Sequence, residues 1–338
     1  MIFAASLCFL LKILIEVMIV LNKNDVAKLL TLDMCMELVA KGLKALSRGD
    51  AVNPLRPIMW LPDRRGLMGV MPAYQGGEPE ALGVKVLTIF PGNHGGDINS
   101  HQGGVLMFDA DNGSPTAFID AGEVTAIRTA AASGVATQLL AREDAGDLAI
   151  LGAGVLARTH LEAMRIARNI RRVRIWNRTP ERAKAFADQN DIEAVESVAE
   201  AVRGADIICT LTGASEPVVR GRWIAPGAHI NAVGSSTSTA RELDTETVVN
   251  SRFFVDRRES ALHEAGDFLV PKREGIIGDD HIVGELGEVL LGQIVGRQNA
   301  KEITLFKSLG LGIEDVVSGE YLYQQAVAKG VGTQVDFG

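Results

Sequence analysis

The sequence predicts an α/β protein with two domains, an antiparallel-rich sheet domain followed by a Rossmann-type, doubly wound and mainly parallel sheet. Three observations carry this. A strand-length apolar run, Leu148-Ala149-Ile150-Leu151, meets Gly152-Ala153-Gly154-Val155-Leu156-Ala157, a G-x-G-x-x-A turn that opens a helix. Strand and helix patterns then keep alternating, which implies right-handed crossovers between parallel strands. Ahead of the turn, short apolar runs separated by Gly, Pro and Asn point to hairpins instead.

In chain order, residues 1–20 are almost wholly apolar yet lack a basic start and a small-residue cleavage site. Lys12 and Glu16 would be costly in a membrane span. We read 1–17 as an upstream extension, a membrane anchor being the alternative, with a first strand at 18–21 and Asn24 or Asp25 capping the next helix. Residues 26–47 carry a broad apolar helical face that stops at Gly49-Asp50. Strands are expected at 58–61, 67–71, 82–87, 104–108 and 116–120, with Asn112-Gly113 turning the last pair. A helix over 123–140 leads to the glycine turn. Beyond the turn, 158–169, 180–189 and 195–202 read as helices, and 173–176, 206–212, 229–233 and 253–256 as strands. Residues 303–306 read as the last strand, and 313–328 as a closing helix returning to the first domain.

Each residue of the turn has a physical task in holding a dinucleotide. Gly152 permits the tight turn, Gly154 lets the backbone approach a pyrophosphate, and Ala157 lets the helix pack close to the sheet. The free N–H groups at the start of the helix, around Val155 and Leu156, receive the phosphates. Where NAD sites usually place an acid, this chain has Asn177-Arg178-Thr179. Arg178 supplies charge and a planar fork, and Asn177 and Thr179 can donate hydrogen bonds, so the expected cofactor is NADPH/NADP, with NADH as the alternative. Arg178 could otherwise be a solvated charge. Strand ends in such sheets face the ligand, which adds Thr210-Leu211-Thr212 and Val233-Gly234 to the cofactor residues.

At 338 residues there is enough chain for two cores. A net charge of −8 argues against nucleic acid or an anionic membrane as partner. Cys8, Cys35 and Cys209 are too few for a disulfide framework, and the histidines show no paired metal spacing, so a reducing cytoplasm and no metal are expected.

In the first domain three cations stand out. Lys85 sits in an otherwise apolar strand, where an ammonium is either paired and used or turned to solvent. Arg128 opens a helix of small residues, either for a ligand or as an ordinary exposed arginine. Arg56 alone would not attract notice.

The chain resembles the ornithine cyclodeaminase and mu-crystallin family. The resemblance rests on Met71-Pro72-Ala73, Lys85-Val86, Ser100-His101-Gln102-Gly103, Arg128-Thr129-Ala130-Ala131, the glycine turn with His160-Leu161, residues 173–179, His229-Ile230-Asn231-Ala232-Val233-Gly234, Gly284-Glu285-Leu286-Gly287-Glu288-Val289 and Phe306-Lys307-Ser308-Leu309-Gly310. It implies a homodimer whose substrate-binding and dimerisation domain, 18–140 plus 311–338, accepts a Rossmann-type insertion over 141–310. It implies that Arg56 and Arg128 hold a substrate carboxylate and that Lys85 is the active-site lysine. Lys85, a water or His101 would supply the proton; His101 could equally be structural. One departure bears on the reaction. Ornithine cyclodeaminases place an aspartate where this chain has Ser236, and serine cannot assist proton transfer at neutral pH without a base. The expected activity is therefore NADPH-dependent reduction of a small cyclic imino acid, of the pyrroline- or piperideine-2-carboxylate type. Ornithine cyclodeaminase, alanine dehydrogenase and a mu-crystallin-like binding protein are the alternatives.

Overall fold

The computed structural model describes residues 17–93 and 98–337. Residues 1–16 of the expected extension lie outside the described residues, and Val17 already belongs to the first strand. The chain divides into two compact units, one ending at Arg128 and resuming at Leu311, the other spanning Thr129–Gly310. The division falls inside a helix, whereas 140/141 was expected.

In the first unit, β1 (Val17–Leu21) is followed by two helices in place of the expected single one, α1 (Lys23–Leu29) and α2 (Leu32–Arg48). The cap of α1 is Asn22, whose side chain accepts from the N–H groups of Asn24 and Asp25 while Asp25 accepts from Asn22. The break comes where Leu30 turns extended to bury its side chain. Strands β2 (Ala51–Val52), β3 (Ile58–Trp60), β4 (Leu67–Gln75), β5 (Ala81–Ile89), β6 (His101–Phe108) and β7 (Pro115–Asp120) come next. Their order is β16-β1-β7-β6-β5-β4-β2, with β3 on β4 and β16 the last strand of the chain. All these pairs are antiparallel except β1 with β7, so the sheet is mixed. Strict alternation of burial along β4 and the first half of β5 turns Met71, Ala73, Ala81 and Lys85 to the covered face.

Helix α3 (Ala121–Leu140) leads to the second unit. There β8 (Asp147–Leu151), α4 (Val155–Ala167), β9 (Arg172–Trp176), α5 (Pro180–Asn190), β10 (Glu193–Ala194), α6 (Val198–Val202), β11 (Ile207–Thr210), β12 (His229–Ala232), α7 (Thr245–Val249) and β13 (Ser251–Val255) alternate. They are followed by α8 (Arg258–Glu264), α9 (Gly266–Arg273), β14 (Ile282–Glu285), α10 (Leu286–Leu290) and β15 (Ile303–Lys307). The sheet order is β10-β9-β8-β11-β12-β15-β13-β14, with every pair parallel. This is the doubly wound sheet expected. As expected, β15 is the last strand of this sheet in chain order; in the sheet it lies between β12 and β13. Strands β10 and β14 are too short and too polar at their ends to show a period.

The closing helix α11 (Gly312–Lys329) belongs to the first unit and packs on β4, β5, β6 and α2. Its first turn nearly touches the sheet: a Cβ on Gly312 would lie 2.9 Å from the carbonyl oxygen of Met71, and one on Gly83 would lie 3.3 Å from Val316. Asn53 anchors the start by accepting from the Ile313 N–H at 2.8 Å. Strand β16 (Thr333–Asp336) then pairs antiparallel with β1.

Candidate active site

Strand β5 delivers Lys85 to the covered face of the first sheet, where it is 1% exposed, which removes the reading of a solvent-turned lysine. An ammonium at that depth needs a partner. It has Asp315 of α11, with Nζ 2.7 Å from Oδ2, and it donates to Thr125 Oγ1 of α3 at 3.4 Å. Arg128 is buried too and shares the same acids. Its Nε donates to Asp315 Oδ1 at 3.1 Å and its Nη1 to Glu314 Oε2 at 2.8 Å. The four groups balance: two cations against two carboxylates.

Burial, followed by the adjacent Arg128 charge, pulls the Lys85 ammonium down from the ordinary lysine value to about 8, against the opposing pull of Asp315 and Glu314. Burial also acts to lower Arg128, but the two carboxylates overcome it and hold the guanidinium above its ordinary value. Arg128 keeps Nη2 for another acceptor. Arg56 lies on the same face: its Cδ would be 3.7 Å from a Cβ on Gly69, which is in line with Met71, the partner of Lys85 across β4 and β5. His101 shares that face as well, but it pairs with Ile89, four residues along from Lys85, or about 13 Å. It is exposed, and its Nδ1 lies 3.0 Å from Ser100 Oγ.

Glu314 and Asp315 escape sequence reasoning. Two acids inside Leu311-Gly312-Ile313-Glu314-Asp315-Val316-Val317 look like the favourable acids of a helix first turn, and only that apolar setting hints that they are buried.

In the second unit the glycine turn has the form a dinucleotide needs. Gly152 holds φ at 114°, and a Cβ there would lie 2.6 Å from the carbonyl oxygen of Leu211. Gly154 is the N-cap of α4 and offers no side chain to the N–H groups of the first turn, and nothing lies within 4 Å of where its Cβ would be. Val155 is exposed, Leu156 half-buried, and Ala157 fully buried against the sheet. The cradle is open where a pyrophosphate would sit, so the residues fit the group.

Asn177 already has partners inside the unit. Its Oδ1 accepts from the Ala153 N–H at 3.1 Å and its Nδ2 donates to the Thr179 carbonyl at 3.0 Å, so the amide braces the glycine turn. Arg178 and Thr179 are exposed beside it.

Among the strand-end residues expected to face the cofactor, Thr210, Thr212 and Gly234 are bonded to Glu242, which sequence reasoning missed. Its Oε1 accepts from the Thr212 N–H and hydroxyl, and its Oε2 from the Thr210 hydroxyl and the Gly234 N–H, all at 2.7 Å. Val233 is held by its N–H on the Thr210 carbonyl at 3.0 Å. Leu211 lies against the glycine turn, with its carbonyl oxygen 2.6 Å from where a Cβ on Gly152 would be. Asp267 in turn accepts from the N–H groups of Glu242 and Leu243, and it is paired with Lys307 Nζ at 2.9 Å. Nothing in the short segment around Glu242 carries a period or motif that would have marked it.

A model of the ornithine cyclodeaminase/mu-crystallin family matches residues 16–330. The chain belongs to the ornithine cyclodeaminase/mu-crystallin family. It is 44% identical to the ketimine reductase mu-crystallin of Mus musculus over 277 residues, 81% of this chain and 85% of the mouse protein. Among solved structures it is similar to the Delta(1)-pyrroline-2-carboxylate reductase of Thermococcus litoralis in complex with NADH and L-proline, at TM-score 0.91 and 42% identity, covering 94% of this chain and all of that one. An archaeal alanine dehydrogenase dimer with bound NAD follows at TM-score 0.89 and 30% identity, covering 95% and 100%. Among the described residues no cluster of His, Cys, Asp and Glu is placed to hold a metal ion, and no helix is long and apolar enough to cross a membrane.

Proposed function

We propose that this family member is a reductase of small cyclic imino acids, converting a pyrroline- or piperideine-2-carboxylate into the cyclic amino acid with NADPH. The observation that carries the reading is a buried, ion-paired Lys85 beside Arg128 on a sheet face that also bears Arg56. An ammonium suits a C=N nitrogen that must gain a proton. Two guanidinium groups, Arg56 and Arg128, suit the carboxylate of the substrate anion.

The turn Gly152–Ala157 would hold the pyrophosphate, with Arg178 toward the 2′-phosphate. When bound, the nicotinamide supplies the hydride for the ring carbon. The similar Thermococcus litoralis structure, with NADH and L-proline bound, agrees with this substrate class. An uncharged Ser236 favours reduction over cyclodeamination.

The first sheet supports a homodimer. Its covered face packs under α11, while Val86 and Phe118 leave apolar side chains exposed on the other. A second copy of the same sheet suits such a face.

The test is loss of reduced-nicotinamide absorbance with pyrroline- and piperideine-2-carboxylate, comparing NADPH and NADH, with ornithine plus NAD⁺ alongside. Lys85→Ala should lower kcat by about 10²-fold or more and leave NADPH binding intact. Wild-type rates in that variant would remove Lys85 from the chemistry, and ammonia from ornithine without imine reduction would replace the reading.

A further inference from the structure

Lys85 meets charged or polar groups from each helix packed over it. Helix α11 brings Asp315 and Glu314, and α3 brings Arg128 and Thr125. From α2, Cys35 reaches Ser318 at 3.6 Å, and burial pushes its thiol up to about 12, so it brings no charge. Neighbours across the sheet, Met71 and Val105, are apolar, and Arg56 is the further cation on that face. Asp315 touches both cations, with one oxygen on each.

We propose that Asp315 is a positioning residue for the reduction, holding Lys85 as an ammonium and leaving one of its hydrogens for the substrate nitrogen. The proposal rests on the imine-reductase reading. Thr125 accepts one ammonium hydrogen and Asp315 Oδ2 stands 2.7 Å from Nζ as its ion-pair partner, which leaves a third hydrogen for the substrate. As the hydride pair forms the new C–H bond at the ring carbon, the C=N π pair takes the third hydrogen as a proton. The Nζ–H bond breaks with its electrons staying on Nζ, and a proton from water restores the ammonium. Without the carboxylate, Arg128 and burial act on Lys85 with only Glu314 opposing them.

The experiment reads Lys85 directly and through turnover. Full-length protein carrying lysine labelled with ¹³C at Cε is titrated by NMR, the Lys85 resonance being the one missing in Lys85→Met, and kcat/KM for the imino acid is measured against pH. In the wild type the resonance midpoint and the alkaline limb of kcat/KM should both fall near about 8. Asp315→Asn should move both down by about one unit or more, lowering kcat/KM at least about fivefold at pH 8 but less than about threefold at pH 6. KM for NADPH should hold.

A uniform loss of activity with an unmoved midpoint would make Asp315 merely structural and overturn the proposal. A moved midpoint in a protein that reduces no imine would sink the functional reading while leaving the Asp315–Lys85 coupling in place. Should the Asn variant not fold, Asp315→Ser is read by the same criteria.

Discussion

Replacing Glu242 with Gln probes what holds the strand ends of the cofactor unit. Each carboxylate oxygen receives one backbone N–H, from Thr212 on Oε1 and from Gly234 on Oε2, besides a threonine hydroxyl. A hydroxyl can rotate away from a new donor, but a backbone N–H cannot. Whichever way the glutamine amide is turned, its NH₂ faces one of these N–H groups, so two charge-assisted bonds are lost and one donor is left without an acceptor. Burial pushes the Glu242 carboxyl up, with Lys307 and the threonine bonds opposing, so removing the charge returns part of the desolvation cost. At ~1.5–3 kcal/mol per bond to a charged group, the net loss should be about 4 kcal/mol. At ~2–4 °C per kcal/mol for a unit of this size, Tm should fall by roughly 10 °C. Thermal unfolding with and without NADPH, and NADPH titration by fluorescence, measure both consequences. A fall in Tm under about 2 °C with unchanged NADPH affinity would refute the argument that Glu242 organises these loops.

Two further outcomes follow from the same unit. Arg178→Ala should raise KM for NADPH about tenfold or more and leave NADH nearly unaffected; an equal effect on both would remove Arg178 from the 2′-phosphate. Burial lowers His160 to about 4 and His229 to about 3, where both are hydrogen-bonded inside the unit. Their folded values lie below the ordinary value of 6.5, so the unfolded chain binds more protons between these limits and stability falls as pH drops from 6.5 toward 4. At ~1.4 kcal/mol per unit the two together amount to several kcal/mol. Tm should therefore decline steeply from pH 6.5 to 4.5, less so in His229→Asn, and a flat profile in the wild type would refute it.

The Asp315 coupling and the Glu242 clasp share a physical cause. Each is an acid that the fold carries against cations or N–H groups from other segments: Lys85 and Arg128 for Asp315, and Thr210, Thr212 and Gly234 for Glu242. Both acids are deeply buried, and both depend on these partners to offset the cost of burying a carboxylate.

Local chemistry made much of the molecule legible. Gly152 and Gly154 between a strand and a helix mark the dinucleotide cradle: Gly152 because its backbone and the approach of Leu211 admit no side chain, Gly154 because it leaves the space before the helix open. The alternation of short apolar runs marks the parallel sheet, since each strand there is buried on both faces. Lys85 stood out because a cation in an apolar strand is costly. What the sequence could not show is how long-range contacts spend these groups. Asn177 reads as a ligand donor and is used to brace Ala153. The residues 303–306 are the last strand of the parallel sheet in chain order, as they read, but only the fold places them inside the sheet, because pairing order is set by crossovers and not by chain order. Arg128 reads equally as an exposed helix residue, and only the closing helix, 186 residues further on at Glu314, makes it a buried cation with two partners. A side chain's identity is local, but its charge balance depends on what the tertiary fold sets beside it.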